Sequence, residues 1–203
     1  MVSFAGGEIH RHTGNFMKMY IFHGTMGTPS GNWFPWLAQQ GTSLGLEVAT
    51  PLLPTPQGQT LDGWLSAFTA QCGDTDKDSI FVGHSIGAVF CLRLLERLSH
   101  GVRGSVLVAP PHQNLGLAEY DGLNASFVEG SFQWRDIKER AGELSLMVSD
   151  NDPYVPQGHF SFYARGLGVT PTVIAGGGHL NAESGHLTLP PILSFVERVL
   201  DAS

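Results

Sequence analysis

The sequence predicts an α/β fold, with a six-stranded, mostly parallel sheet and helices on both faces. Three observations lead there. Short apolar segments alternate with helical ones along the chain, the pattern of parallel strands joined by crossover helices. The earliest strand-like segment, Met19-Tyr-Ile-Phe, is apolar throughout, as a strand covered on both faces must be. A serine with glycines two residues to either side falls between a strand and a helix. The chain has 203 residues, the length of one domain, enough to bury a core without disulfides or a metal.

The elements follow in order. Met19–Phe22 is the first strand, and Trp33–Gln40 a helix. Glu47–Thr50 is the second strand, stopped by the proline-rich run Pro51–Pro56. Leu61–Cys72 is helical, Ser79–Val82 the third strand and Ile86–Leu98 a helix. Ser105–Ala109 is the fourth strand, halted by Pro110-Pro111. The polar and aromatic stretch 112–134 reads as irregular, long enough for a lid. A short helix, Arg135–Ala141, precedes the fifth strand, Leu144–Val148. Gln157–Gly166 is helical, Thr172–Ala175 the sixth strand, and Pro190–Leu200 the last helix. Prolines suit that helix's first positions, where no N–H is needed. Residues 1–16 are rich in Gly, His and polar residues and precede a second methionine at Met17. They read as an extension outside the core, and 17–203 as a single domain.

Composition excludes several classes. Lys and Arg total 11 and form no long run, and the net charge is −7. A nucleic-acid partner would need a basic face, so none is expected. No segment approaches the ~20 apolar residues of a membrane span, and none near the start resembles a signal peptide. Cys72 and Cys91 make no disulfide framework, which points to a reducing, cytoplasmic setting. His10 and His12 lack further ligands nearby, so no metal site is expected, and no cofactor. Neither the dinucleotide spacing of glycines nor a phosphate-loop lysine is present.

The chemistry gathers just past strand ends, where ligands collect in a doubly wound sheet. Gly83-His-Ser-Ile-Gly87 matches the strand–turn–helix site of an exposed serine nucleophile. That names Ser85 as nucleophile and the Ile86 N–H as an oxyanion donor, at a helix start that favours negative charge. A serine hydroxyl needs a base, and the partners should follow in the order acid, then histidine. Gly176-Gly-Gly-His179 follows the sixth strand, so His179 is the base, with His186 the alternative. Asp150 and Asp152 both follow the fifth strand. Asp152 is preferred as the acid because Pro153 fixes the chain beside it, whereas Asp150 suits a turn. The loop His23-Gly-Thr-Met-Gly should supply the second oxyanion donor, Thr25, with Met26 as runner-up. His23, Met26, Trp33, His84 and Trp134 are candidate pocket residues; His23 and His84 could equally be scaffold, and the aromatics core.

These motifs, with Gly31-Asn-Trp-Phe-Pro-Trp-Leu and Phe132-Gln-Trp-Arg-Asp-Ile-Lys, resemble those of the retinoblastoma-binding-protein-9-like and YdeN-like serine hydrolases, a compact branch of the α/β-hydrolases. The resemblance runs from about Tyr20 to near the end of the chain. It implies a compact six-stranded α/β-hydrolase fold without the two leading strands of larger relatives, and Ser85, Asp152 and His179 as a triad. It also implies reactivity with serine-hydrolase probes and esterase or aminopeptidase-like activity. The sequence lacks the L-x-C-x-E motif of vertebrate members, so retinoblastoma-type binding is not expected. The expected function is hydrolysis of a small carboxylic ester by a monomer or homodimer. Amide cleavage and acyl transfer would use the same residues. A protein-binding member that had lost catalysis is the competing class, and the intact serine, acid and histidine argue against it.

Overall fold

The computed structural model describes residues 17–202; the expected extension 1–16 lies outside the described residues. The strands are β1 (Lys18–Phe22), β2 (Glu47–Ala49), β3 (Ser79–His84), β4 (Gly104–Val108), β5 (Glu143–Ser149) and β6 (Thr172–Ile174). The helices are α1 (Phe34–Ser43), α2 (Leu61–Cys72), α3 (Ile86–Leu95), α4 (Ala118–Val128), α5 (Trp134–Arg140), α6 (Gln157–Leu167) and α7 (Pro190–Asp201). The sheet order is β2-β1-β3-β4-β5-β6, and all five pairings are parallel.

The central strands β3 and β4 are buried along their whole length. Their neighbours in sequence follow suit: every residue of α3 is buried, which is why that helix is apolar nearly all round rather than along one stripe. Among the described residues the chain runs from β1 out to β2, returns past β1 to β3 and continues to β6. Right-handed crossovers then put α1 on one face and the helices that follow on the other. Helix α7 comes back to pack on α1, while α3 carries α4 and α5. The direction of winding reverses between β1 and β3, and the loops that leave their carboxyl ends part there, opening a crevice.

Two expectations are corrected. The stretch 112–134 is not wholly irregular, because Ala118–Val128 forms α4. Its first turn carries Glu119 and Asp121, and the Asp121 carboxylate accepts the Leu115 and Gly116 N–H groups. Helix α3 ends at Leu95 rather than Leu98. Its last turn tightens, with the Arg97 N–H on the Leu94 carbonyl at 2.8 Å.

Glycine substitutions separate the tight places from the open ones. A Cβ on Gly83 would sit 2.4 Å from the Gly87 carbonyl oxygen, whereas one on Gly122 of α4 would meet nothing within 4 Å. Gly83→Ala is expected to cost about 3 kcal/mol of stability, as overpacking against rigid backbone does. Gly122→Ala is expected to gain about 0.5–1 kcal/mol from helix propensity. Urea unfolding of both variants against the parent checks the pair.

Candidate active site

The chain passes from β3 to α3 in a single residue, Ser85, held at φ 55° and ψ −125°. That left-handed φ is strained for a residue with a side chain. The Ser85 N–H donates to the Val108 carbonyl at 2.8 Å. A Cβ on Gly87 would lie 2.4 Å from the carbonyl oxygens of Phe22 and His23. Glycine at 83 lets strand and helix fold onto each other, and glycine at 87 lets the helix touch the end of β1. A Cβ on Gly24 would lie 2.9 Å from the Ser85 Cβ, so the loop after β1 can also run directly over the serine.

His179 sits in the loop after β6, and its Nδ1–H donates to Asp152 Oδ2 at 2.8 Å. The Asp152 side chain is fully buried and that of His179 nearly so. Asp152 Oδ1 accepts the Tyr154 and Val155 N–H groups, each at 2.9 Å, so both carboxylate oxygens are engaged. Asp150 does something else: it accepts the Gly176 N–H at 2.7 Å. His186 Nε2 donates to the Gly177 carbonyl. Both alternatives therefore hold the backbone of the loop that carries His179. With Nδ1 on the carboxylate, Nε2 is the ring nitrogen of His179 left for other chemistry.

In the loop after β1, the Gly27 N–H closes a turn on the Gly24 carbonyl at 3.0 Å. The Met26 N–H is spent on Thr55 Oγ1 at 2.7 Å. The Thr25 N–H has no acceptor among the described residues, and Ile86 opens α3, where N–H groups lack partners within the helix. Of the two loop candidates, Thr25 thus has the N–H to spare.

Gly24, Thr25, Ser85 and His179 line one pocket of about 210 Å³, with Met26 and His84 also on its wall. Its outer wall comes from Leu115, Leu117, Tyr120 and Asn124, and its rim includes Asn32, Tyr154, Asn181 and Glu183. Three expected pocket residues are not on this wall, for physical reasons. Trp33 is fully buried and donates its indole N–H to the Leu180 carbonyl at 2.9 Å. It buttresses the histidine loop from beneath. Trp134 packs on Gly166 and stacks with Phe132, away from the serine. His23 is buried, its Nδ1–H on the Gly24 carbonyl at 2.8 Å and its Nε2 accepting the Leu53 N–H at 3.1 Å. Reasoning from sequence missed Tyr120 and Asn124, whose spacing of four on a helix was the available signal.

Burial sets the charge state of the neighbouring histidines. His84 is pushed down to about 3, first by burial and then by the nearby His179. It stays neutral and donates Nε2–H to the His179 carbonyl at 2.8 Å. His159 is pushed down to about 4, again mainly by burial with His112 second, and its Nδ1 accepts the His112 N–H. Among the described residues, no group of three or more His, Cys, Asp or Glu could hold a metal ion. No described helix is long and apolar enough to cross a membrane.

With this geometry in view, the chain can be set beside known proteins. Residues 19–198 match the model of the family described as serine hydrolase. YdeN of Bacillus subtilis (strain 168), named as a hydrolase, is 26% identical over 175 residues, 85% of this chain and 90% of that protein. Serine hydrolase RBBP9 of Rattus norvegicus is 24% identical over 125 residues, 61% of this chain and 64% of that protein. The crystal structure of the Bacillus subtilis ydeN product superposes with a TM-score of 0.83 at 25% identity, covering 91% of this chain and 98% of that one. Est1E from Butyrivibrio proteoclasticus shares the fold, with a TM-score of 0.66 at 14% identity, covering 92% and 89%.

The buried histidines make stability depend on pH. Their folded values lie below the ordinary imidazole value of 6.5. Between the two values the unfolded chain binds more protons than the folded one. Their contribution is therefore fully present above about 6.5 and is lost as the pH falls from there toward 4 and 3. The Tm is expected to fall progressively from pH 7 to pH 4.5. His159→Gln should make that decline shallower, as scanning calorimetry over the pH series would show.

Proposed function

This chain belongs to the serine hydrolase family, and on that premise we propose that it cleaves small carboxylic esters through an acyl-serine formed on Ser85. The observation that carries the reading is one arrangement: a serine on a strained strand-to-helix turn shares a pocket with a histidine whose Nδ1–H is held by a buried aspartate.

Ser85 Oγ attacks the ester carbonyl carbon while His179 Nε2 takes its proton. The Asp152 carboxylate keeps the imidazole in the tautomer that leaves Nε2 free, and it offsets the positive charge that forms. Negative charge moves to the former carbonyl oxygen, where the N–H groups of Thr25 and Ile86 stabilise it. The start of α3 adds its dipole in the same direction. When the tetrahedral intermediate collapses, the C–O bond to the alcohol breaks. The departing oxygen receives the proton from His179 Nε2, leaving the acyl group on Ser85. A water then gives a proton to the same nitrogen and attacks the acyl carbon. A second collapse returns the proton to Ser85 and releases the carboxylic acid.

The pocket's dimensions bear on the substrate. About 210 Å³ lies below the usual range for drug-sized ligands. Leu115, Leu117 and Val155 give the wall apolar side chains, which suits a short acyl group. Turnover of p-nitrophenyl esters is expected to peak at acetate to butyrate and to fall beyond hexanoate.

Three variants test the assignment of roles. Ser85→Ala should lower kcat by about 10⁴–10⁶ and abolish labelling by a fluorophosphonate probe. Asp152→Asn should lower kcat by about 10⁴, because an amide favours the wrong imidazole tautomer. Asp150→Asn keeps an oxygen for the Gly176 N–H and should stay within a few-fold of the parent. Ester hydrolysis that survives Ser85→Ala, or loss of activity in Asp150→Asn rather than Asp152→Asn, would overturn these roles.

A further inference from the structure

Behind the loop that carries Thr25 lies a polar cluster that the steps above do not use. Gln59, 5% exposed, precedes α2, and Asn124, 6% exposed, comes from α4. Buried polar groups cost stability unless their hydrogen bonds are made. Here they are made in one direction only. Thr55 Oγ1 accepts the Met26 N–H at 2.7 Å, so its own proton goes to Gln59 Oε1, 2.6 Å away. That bond orients the amide. Gln59 Nε2 then donates to Thr25 Oγ1 at 2.8 Å and to Asn124 Oδ1 at 3.0 Å. The Thr25 hydroxyl, receiving from Gln59, donates to Asn124 Oδ1 at 2.5 Å.

One buried amide thus grips two consecutive loop residues from its two ends. Its oxygen reaches Met26 through the Thr55 hydroxyl, and its nitrogen holds the Thr25 side chain. The peptide between Thr25 and Met26 is left with little freedom to turn, and the Thr25 Cα is pinned with it. The preceding peptide, between Gly24 and Thr25, carries the Thr25 N–H. It is held at its other end by the Gly24 carbonyl, which accepts the Gly27 N–H at 3.0 Å and the His23 Nδ1–H at 2.8 Å. The bond to Thr55 also commits the Met26 N–H, which leaves the Thr25 N–H as the uncommitted one of the two candidate donors, on a residue that lines the pocket.

We propose that Gln59 is the positioning residue of the oxyanion loop, aiming the Thr25 N–H and linking its orientation to helix α4 through Asn124. The assignment rests on the reading that Thr25 is an oxyanion donor. A donor aimed at the tetrahedral oxyanion contributes to the transition state more than to substrate binding, so disturbing it should appear in kcat rather than KM. Displacement of such a group by about 1 Å can cost up to about 10²-fold.

The test uses p-nitrophenyl acetate hydrolysis and a small trifluoromethyl ketone. The ketone adds Ser85 Oγ at its carbonyl carbon and places an oxyanion in the same position. Gln59→Leu is expected to lower kcat by about 10- to 100-fold with KM within threefold, and to weaken the ketone by a similar factor. Thr55→Val should reproduce the pattern, and Thr55→Ser, which keeps the hydroxyl, should recover most of the loss. Should Gln59→Leu fail to fold, Gln59→Glu keeps the shape while removing the donor, and together with the Thr55 pair it decides the matter. A folded Gln59 variant with kcat within twofold of the parent, or one whose loss lies in KM alone, overturns the positioning role. Parent protein that neither turns over the ester nor reacts with a fluorophosphonate at Ser85 overturns instead the function on which the role rests.

Discussion

Between His84, the last residue of β3, and Ile86, the first of α3, there is room for one residue to reverse the chain. Ser85 does so at a positive φ, at a cost of order 1–3 kcal/mol. The surroundings must over-determine that conformation, and they do so through contacts only glycine permits. Gly87 lies against the carbonyls of Phe22 and His23, and Gly83 against Gly87 itself. These contacts weld the turn to the end of β1. The loop that leaves β1 therefore begins within reach of the serine, and Gly24 lets it pass over the Ser85 side chain.

The histidine is delivered to the same place by a different means. The loop after β6 contains Gly176 and Gly178, both at positive φ, and a glycine-rich loop has little stiffness of its own. Its shape is imposed from outside. Asp150 and Asn151 accept the N–H groups of Gly176 and Gly178, His84 donates to the carbonyl of His179, and Trp33 to that of Leu180. The residue next to Ser85, the proposed nucleophile, thus holds the backbone of the proposed base. Keeping His84 neutral is part of this device. A neutral imidazole spends its one N–H on the carbonyl, and burial prevents it from placing a second positive charge beside His179.

How far the sequence reveals this depends on the kind of signal each part carries. Strands β1, β3 and β4 are buried along nearly their whole length and read as continuous apolar runs. The edge strands β2 and β6 are partly exposed and were legible from the turn and proline signals that bound them, so all six fell within a residue or two. The serine turn was legible because its glycines are dictated by backbone contact. The carboxylate was legible only as a choice between Asp150 and Asp152, since both follow the same strand; the hydrogen bond to His179 Nδ1 separates their positions. Helix α4 was hidden for a physical reason. Its inward residues Tyr120, Asn124 and Phe127 follow helical spacing, but the first two face a pocket and a polar cluster rather than an apolar core. A search for apolar periodicity passes over such a face. For Trp33 and Trp134 the sequence left pocket and core both open, and the structure places neither on the pocket wall: Trp33 is buried beneath the site and Trp134 is half-buried against the core beside it.

The nature of α4 also decides what the outer wall of the pocket can do. A connection read as a loose lid would open at little cost, yet α4 is fastened at both ends. At its start the Asp121 carboxylate binds the chain leading in. At its far end the buried Arg93 of α3 donates to the carbonyls of Phe127 and Glu129 and lies 4.1 Å over the Phe132 ring. Glu96 balances the arginine's charge at 3.0 Å. A cation in that setting has no cheap alternative partner, because leaving its acceptors would strand a buried charge. The wall formed by Tyr120 and Asn124 is therefore fixed by the same core that supports the serine turn. On the proposed function, the side chains on α4 and the segment before it, Leu115, Leu117, Tyr120 and Asn124, are where selectivity for the acyl group would be altered without disturbing Ser85, Asp152 or His179.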